Sequence, residues 1–129
     1  MLEANRLILE TLDRDVAGAL DGDSQAHGKV VVGEGASVHN SVIRGPAIIG
    51  AGTRLHDTYI GPFTSIGDGC LIESCEIEHS IVMEHCRLID VPGRIEDSLI
   101  GRNVEILRSP HKPKAYKLML GDFSRVEVL

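Results

Sequence analysis

Three phrases decide the fold: Val32-Gly-Glu-Gly-Ala36, Ile49-Gly-Ala-Gly-Thr53 and Ile66-Gly-Asp-Gly-Cys70, each beginning 17 residues after the one before. Two more aliphatic columns keep the same step, Val38, Leu55, Ile72 and Ile43, Ile60, Ile77, so a period carries three anchors separated by six, six and five residues. A fixed period of this length is the mark of a stacked repeat. Glycines at 33, 35, 50, 52, 67 and 69 exclude a helical repeat, because each interior glycine costs a helix about 1 kcal/mol. Three inward anchors joined by tight corners make a triangular coil instead, and such coils stack at about 4.8 Å. The spacing therefore predicts an all-β solenoid.

An aliphatic anchor followed by Gly and, four places on, a small residue (Ala36, Thr53, Cys70) resembles the hexapeptide-repeat proteins. That resemblance implies a left-handed parallel β-helix; the spacing alone gives no hand. The later coils depart from the strict step. Ile77 to Val82 is five residues where Ile60 to Ile66 is six, which shortens a corner. Leu88 to Ile95 is seven, with Val91-Pro92-Gly93 marking a protruding loop. Ile100-Gly-Arg-Asn-Val104 and Ile106 then resume the pattern. The expected core is Val32, Val38, Ile43, Ile49, Leu55, Ile60, Ile66, Ile72, Ile77, Val82, Leu88, Ile95, Ile100 and Ile106.

A solenoid leaves two open ends that need covering. Met1 to Leu12 reads as a helix with Met1, Ala4, Ile8 and Leu12 on one face, widened by Leu2 and Leu9. The expected division is an N-terminal helix and acidic lead-in over 1–28, the β-helix over 29–108 and a C-terminal cap over 109–129. Leu20 to Ser24 reads as a degenerate first coil, Pro110 and Pro113 stop the repeats, and Ala115 to Leu120 is expected to lie across the last coil.

At 129 residues the chain has room for one domain. Lys plus Arg total 13 against 19 for Asp plus Glu, and the resulting charge of −6 disfavours a nucleic acid or an anionic membrane as partner. Aromatics are only 3%, so the interior must be filled by branched aliphatics. Cys70, Cys75 and Cys86 form an odd set without C-x-x-C spacing, which argues against a disulfide framework and a structural zinc. Reduced thiols, no signal-type cleavage site and no apolar run near the roughly 18 residues of a membrane span point to the cytoplasm.

Candidate chemistry is sparse. His39 and His56 lie one period apart, each just after an anchor, which stacks them on an outer face with Glu73 next. They are the candidates for a metal or proton site; the plainer reading is two solvated imidazoles at neighbouring coils, since two histidines and one carboxylate make no established ligand set. His79 and His85 are expected to point outward. The columns Ala36, Thr53, Cys70, Cys86 and Ser41, Thr58, Cys75 place the thiols among small packing residues, with no cation beside them to favour thiolate. The glycine corners recur with every coil and read as turns rather than phosphate loops. Hexapeptide acyltransferases use a histidine base and acetyl-CoA, but the one inserted loop, around Val91 to Gly93, contains no histidine.

Three longer phrases narrow the relationship. The opening Leu-Glu-Ala-Asn-Arg-Leu-Ile-Leu-Glu, the run Gly-Arg-Ile-Glu-Asp-Ser-Leu-Ile-Gly-Arg-Asn-Val-Glu-Ile over 93–106, and the tail Ala-Tyr-Lys-Leu-Met-Leu-Gly-Asp-Phe-Ser-Arg-Val-Glu are similar to the C-terminal part of long-form glucose-1-phosphate thymidylyltransferases. Members of that family couple dTTP with glucose 1-phosphate to give dTDP-glucose and pyrophosphate. The resemblance implies a nucleotidyltransferase catalytic domain in cis, N-terminal to this region, that binds dTTP with Mg. The family's Gly-Gly-x-Gly-Thr-Arg phosphate loop does not occur here, so no catalytic residue is carried over and the chain reads as a C-terminal fragment. Its expected role is assembly, as a homo-oligomer with a trimer ahead of a dimer, to which outward Val42, Tyr59, Phe63 and Val91 contribute.

Overall fold

The computed structural model describes residues 1–108 and 115–129, and within them the chain is a parallel β-solenoid of about 17 residues per coil with one N-terminal helix. Three sheets of parallel short strands form the faces of a prism. The first face stacks Asp15–Val16, Val30–Val32, Ala47–Ile49, Thr64–Ile66, Ile81–Val82 and Leu99–Ile100. The second stacks Ala19–Leu20, Ser37–His39, Arg54–His56, Leu71–Glu73, Arg87–Ile89 and Glu105–Leu107. The third stacks Gln25–His27, Val42–Arg44, Tyr59–Ile60, Glu76–Glu78 and Ile95–Glu96.

The aliphatic columns are the register. Val32 pairs with Ile49, Ile49 with Ile66, Ile66 with Val82 and Val82 with Ile100. Side chains alternate across a strand, and on the second and third faces the middle residue of each three-residue strand points inward. The first face reverses this: in Val30–Val32 and Ala47–Ile49 the outer two residues are buried and the middle one is not. Eleven of the fourteen anchors are no more than 1% exposed; another, Ile100, stands at 9%, and Ile95 and Ile106, which close their columns with a neighbour on one side, are partly buried.

Each corner phrase needs its two glycines for different reasons. A Cβ on Gly50 would collide with the backbone of Gly67 and Asp68 in the next coil, so the first glycine is a matter of close approach. At Gly52 a Cβ would meet nothing, but φ is +68°, the left-handed region that L side chains disfavour. Asn103 takes the same corner position in a later coil at φ 58°.

Four features differ from the sequence expectation. The acidic lead-in already holds strands: Asp15 pairs with Val31, Leu20 with Val38 and Ala26 with Ile43, because Val16, Leu20 and Ala26 keep the three-anchor spacing among polar neighbours. The helix, α1 (Leu2–Glu10), presents Leu2, Asn5, Leu9 and Leu12 to the prism, with only Leu9 fully buried, while Met1 and Ile8 are 74% and 61% exposed. Polar anchors select that face. The Asn5 side-chain amide donates to the Phe63 carbonyl (3.3 Å) and accepts from the Ser65 hydroxyl (2.6 Å), and Lys29 Nζ donates to the Glu10 carbonyl (2.7 Å). Val91 does not face outward; it packs against the core at the end of the Ser41, Thr58, Cys75 column, so only Pro92 and Gly93 protrude. Finally, Ala115 to Leu120 does not cover the last coil: all six residues are exposed and make no backbone hydrogen bond to it. Pro110 and Pro113 lie outside the described residues.

Candidate functional site

The second face carries the histidine ladder. His39 pairs in register with His56 and His56 with Glu73, and the two rings lie 6.3 Å apart, tilted by 47°. Each imidazole is oriented through Nδ1 by a carboxylate: His39 by Asp21 at 3.2 Å and His56 by Asp57 at 3.0 Å. His79 repeats the arrangement on another corner with Asp97 at 2.6 Å. These contacts fix the rings and leave Nε2 toward solvent. The Ser24 hydroxyl, with the Asn40 N–H, His39 and the Asp23 N–H, holds the Asp21 carboxyl below the usual carboxylate range. His27 Nε2 contacts the Gln25 side chain, and His111 lies outside the described residues.

Glu73 follows in register without completing a ligand set. Among the described residues no three of His, Cys, Asp and Glu gather closely enough to hold a metal ion. The arrangement is a row of oriented, half-exposed imidazoles suited to exchanging protons with solvent. An open groove of about 600 Å³ follows the corner between the second and third faces, past Asn40, Asp57, Ser74 and Asp90, but no histidine lines it.

The three cysteines are buried and unpaired. Each thiol donates to a carbonyl one coil on: Cys70 Sγ to Met83 O (3.2 Å), Cys75 Sγ to Leu88 O (3.4 Å) and Cys86 Sγ to Gly101 O (3.0 Å). Burial pushes all three thiols up from their ordinary range, which keeps them protonated and poor nucleophiles. Thr53 does the same job with a hydroxyl, donating to the Gly67 carbonyl (2.7 Å) while accepting from the Cys70 N–H (3.1 Å). The corner columns thus stitch one coil to the next, a role the sequence reading gave only as packing. The alternation of Ser, Thr and Cys in one column was its available signal.

No family model matches the chain. A glucose-1-phosphate thymidylyltransferase of Streptomyces antibioticus is 52% identical over 128 residues, which are 99% of this chain and 36% of that protein. A second, from Streptomyces griseus, is 48% identical over the same spans. The chain is homologous to one part of the glucose-1-phosphate thymidylyltransferases. It spans little more than a third of their length. A low-salt glycan biosynthesis nucleotidyltransferase of Haloferax volcanii is 38% identical over 131 residues, again 99% of the chain and 36% of the relative. A solved hexapeptide transferase family protein from Anaplasma phagocytophilum is a looser likeness, at 20% identity over 88% of this chain and 87% of that one, with a TM-score of 0.26. Beside its thymidylyltransferase relatives the chain contributes the solenoid and α1. No helix among the described residues is long and apolar enough to cross a membrane.

Proposed function

We propose that this chain is the non-catalytic assembly and regulatory domain at the C-terminal end of a glucose-1-phosphate thymidylyltransferase. The observation that carries the reading is the match itself: the whole solenoid and its helix align with thymidylyltransferases at up to 52% identity while accounting for 36% of their length. The transfer of a thymidylyl group from dTTP to glucose 1-phosphate, with release of pyrophosphate, then belongs to a nucleotide-binding domain in cis. The Mg ion that accompanies dTTP belongs there as well, because the residues described here offer it no set of three ligands.

The prism suits the assembly role physically. Its faces are flat and its core is independent of anything beyond the next coil, so outward side chains are free to meet another copy. On this reading the domain forms a homo-oligomer, a trimer ahead of a dimer, and holds the catalytic domains in fixed orientation. The regulatory part of the reading places an effector site at the junction that α1 makes with the first face. Three buried, unpaired thiols favour the reducing cytoplasm.

Light scattering on the isolated chain, together with an assay for pyrophosphate release from dTTP and glucose 1-phosphate, tests the proposal. A mass at a multiple of 14.0 kDa and no turnover are expected. A monomer overturns the assembly role, and turnover overturns the non-catalytic one.

A further inference from the structure

The last ten residues repeat the phrase that builds the solenoid, yet they stack on nothing. Leu120-Gly-Asp-Phe-Ser-Arg-Val126 has the pattern of Ile66-Gly-Asp-Gly-Cys-Leu-Ile72: aliphatic, Gly, acid, a left-handed position, a small residue, any residue, aliphatic. The backbone agrees. Phe123 stands at φ 61°, beside +65° at Gly69, 59° at His85 and 58° at Asn103 in the same corner position. A bulky aromatic rarely takes that conformation, and here it does so with its side chain fully exposed.

The residues after the corner are extended. Arg125 and Glu127 share one side and pair at 2.8 Å, leaving Val126 and Val128 on the other. No backbone hydrogen bond joins 115–129 to any strand. Leu120, Val126 and Val128, whose counterparts in a coil would point inward or pack at a corner, are 56%, 47% and 58% exposed.

We propose that Leu120–Leu129 is an exchange arm, a preformed coil corner that stacks on the open C-terminal edge of a second copy of this chain. That edge is formed by Leu99–Ile100 and Glu105–Leu107, the last strands of the first and second faces. Placed one coil beyond it, Leu120 covers Ile100, Ser124 covers Val104 and Val126 covers the half-buried Ile106.

Charge selects the same register. Arg87 pairs with Glu105 at 3.2 Å, and the next residue up that column is Arg125. Glu84 pairs with Arg102 at 2.8 Å, and the next up is Asp122. Both ladders continue with alternating sign. The exposed side chains of Tyr116, Leu118, Met119, Leu120, Phe123, Val126, Val128 and Leu129 amount to roughly 900 Å², close to the ~800 Å² per partner of a standard interface.

The second copy, rather than the chain's own edge, is the acceptor. The corner is already folded and covalently near its own last coil, yet it lies off that coil. Leu107 to Leu120 is thirteen residues, where the equivalent step Ile89 to Ile100 is eleven. The twelve residues between Leu107 and Leu120 reach at most about 40 Å when extended, enough to cross to a neighbouring prism.

The inference deepens the assembly reading and rests on it. The test uses two charge-reversed variants of the full chain: Asp122→Arg with Arg125→Glu in the arm, and Arg102→Asp with Glu105→Arg on the edge. Each alone is expected to fall to a 14.0 kDa monomer by light scattering while keeping its β circular dichroism, and an equimolar mixture to recover a mixed oligomer. Variants that stay oligomeric alone overturn the arm but leave assembly standing. Monomers that do not recover on mixing overturn exchange in favour of stacking in cis. A monomeric parent chain overturns the assembly reading itself.

Discussion

Replacing Ile60 by Ala tests the stacked core where it is most enclosed. Ile60 is 0% exposed and sits between Ile43 in the coil before and Ile77 in the coil after. Ile→Ala removes three carbons, worth about 2.4 kcal/mol at ~0.8 kcal/mol each. If about 40 Å³ of the vacated space stays open, the cavity adds about 1 kcal/mol at ~24 cal/mol per Å³. A loss of about 3 to 4 kcal/mol is therefore expected. The same change at Ile95 should cost about half as much, because Ile95 is partly buried and has Ile77 on one side and no strand of its face on the other. Urea unfolding followed by circular dichroism reads both. With a slope of about 1.5 kcal/mol per molar, Ile60→Ala should lower the midpoint by roughly 2 M and Ile95→Ala by roughly 1 M. Equal shifts at the two sites would refute the reasoning, since they would mean that neighbouring coils do not supply the burial.

Three further outcomes follow from the corners. Gly50→Ala should destabilise by about 1 to 3 kcal/mol because its Cβ meets backbone, whereas Gly52→Asn should cost less than about 1 kcal/mol, Asn tolerating the left-handed conformation; urea midpoints separate the two. Burial raises the thiol pKa values above the ordinary 9.0, so the stability they contribute is fully present below pH 9 and is lost as pH rises through the folded values. A variant with Cys70, Cys75 and Cys86 all changed to Thr, the residue already at positions 53 and 58, should therefore hold its melting temperature better than the parent between pH 9 and 11. Asp21 has the opposite sign: its folded pKa lies below 3.8, so its contribution is present above that value and fades as pH falls through the depressed one. The stability gap between the parent and Asp21→Asn should accordingly narrow below about pH 4 in acid titrations of the urea midpoint.

The aliphatic columns were legible because a solenoid writes its spatial neighbours 17 residues apart, so Ile49 and Ile66 declare their contact in one dimension. The histidine ladder was legible for the same reason. What orients it was not: Asp21 and Asp57 reach His39 and His56 from different offsets, one a coil earlier and one the adjacent residue, so no single period reports them. The docking of α1 was misread because hydrophobicity favours Ile8, while the contacts that select its face are polar and come from Phe63, Ser65 and Lys29, some 20 to 60 residues away. The lead-in coil was under-read because its strands are two or three residues long and mostly solvated.

The protruding Pro92-Gly93 pair shows how this architecture absorbs a change of length. Extra residues leave the prism at a corner, and the register of Ile77 on Ile95 and Leu88 on Ile106 is kept on either side. A foreign peptide grafted between Pro92 and Gly93 should consequently be displayed on the outside without shifting a single rung, which makes that corner a natural port for epitopes or affinity handles.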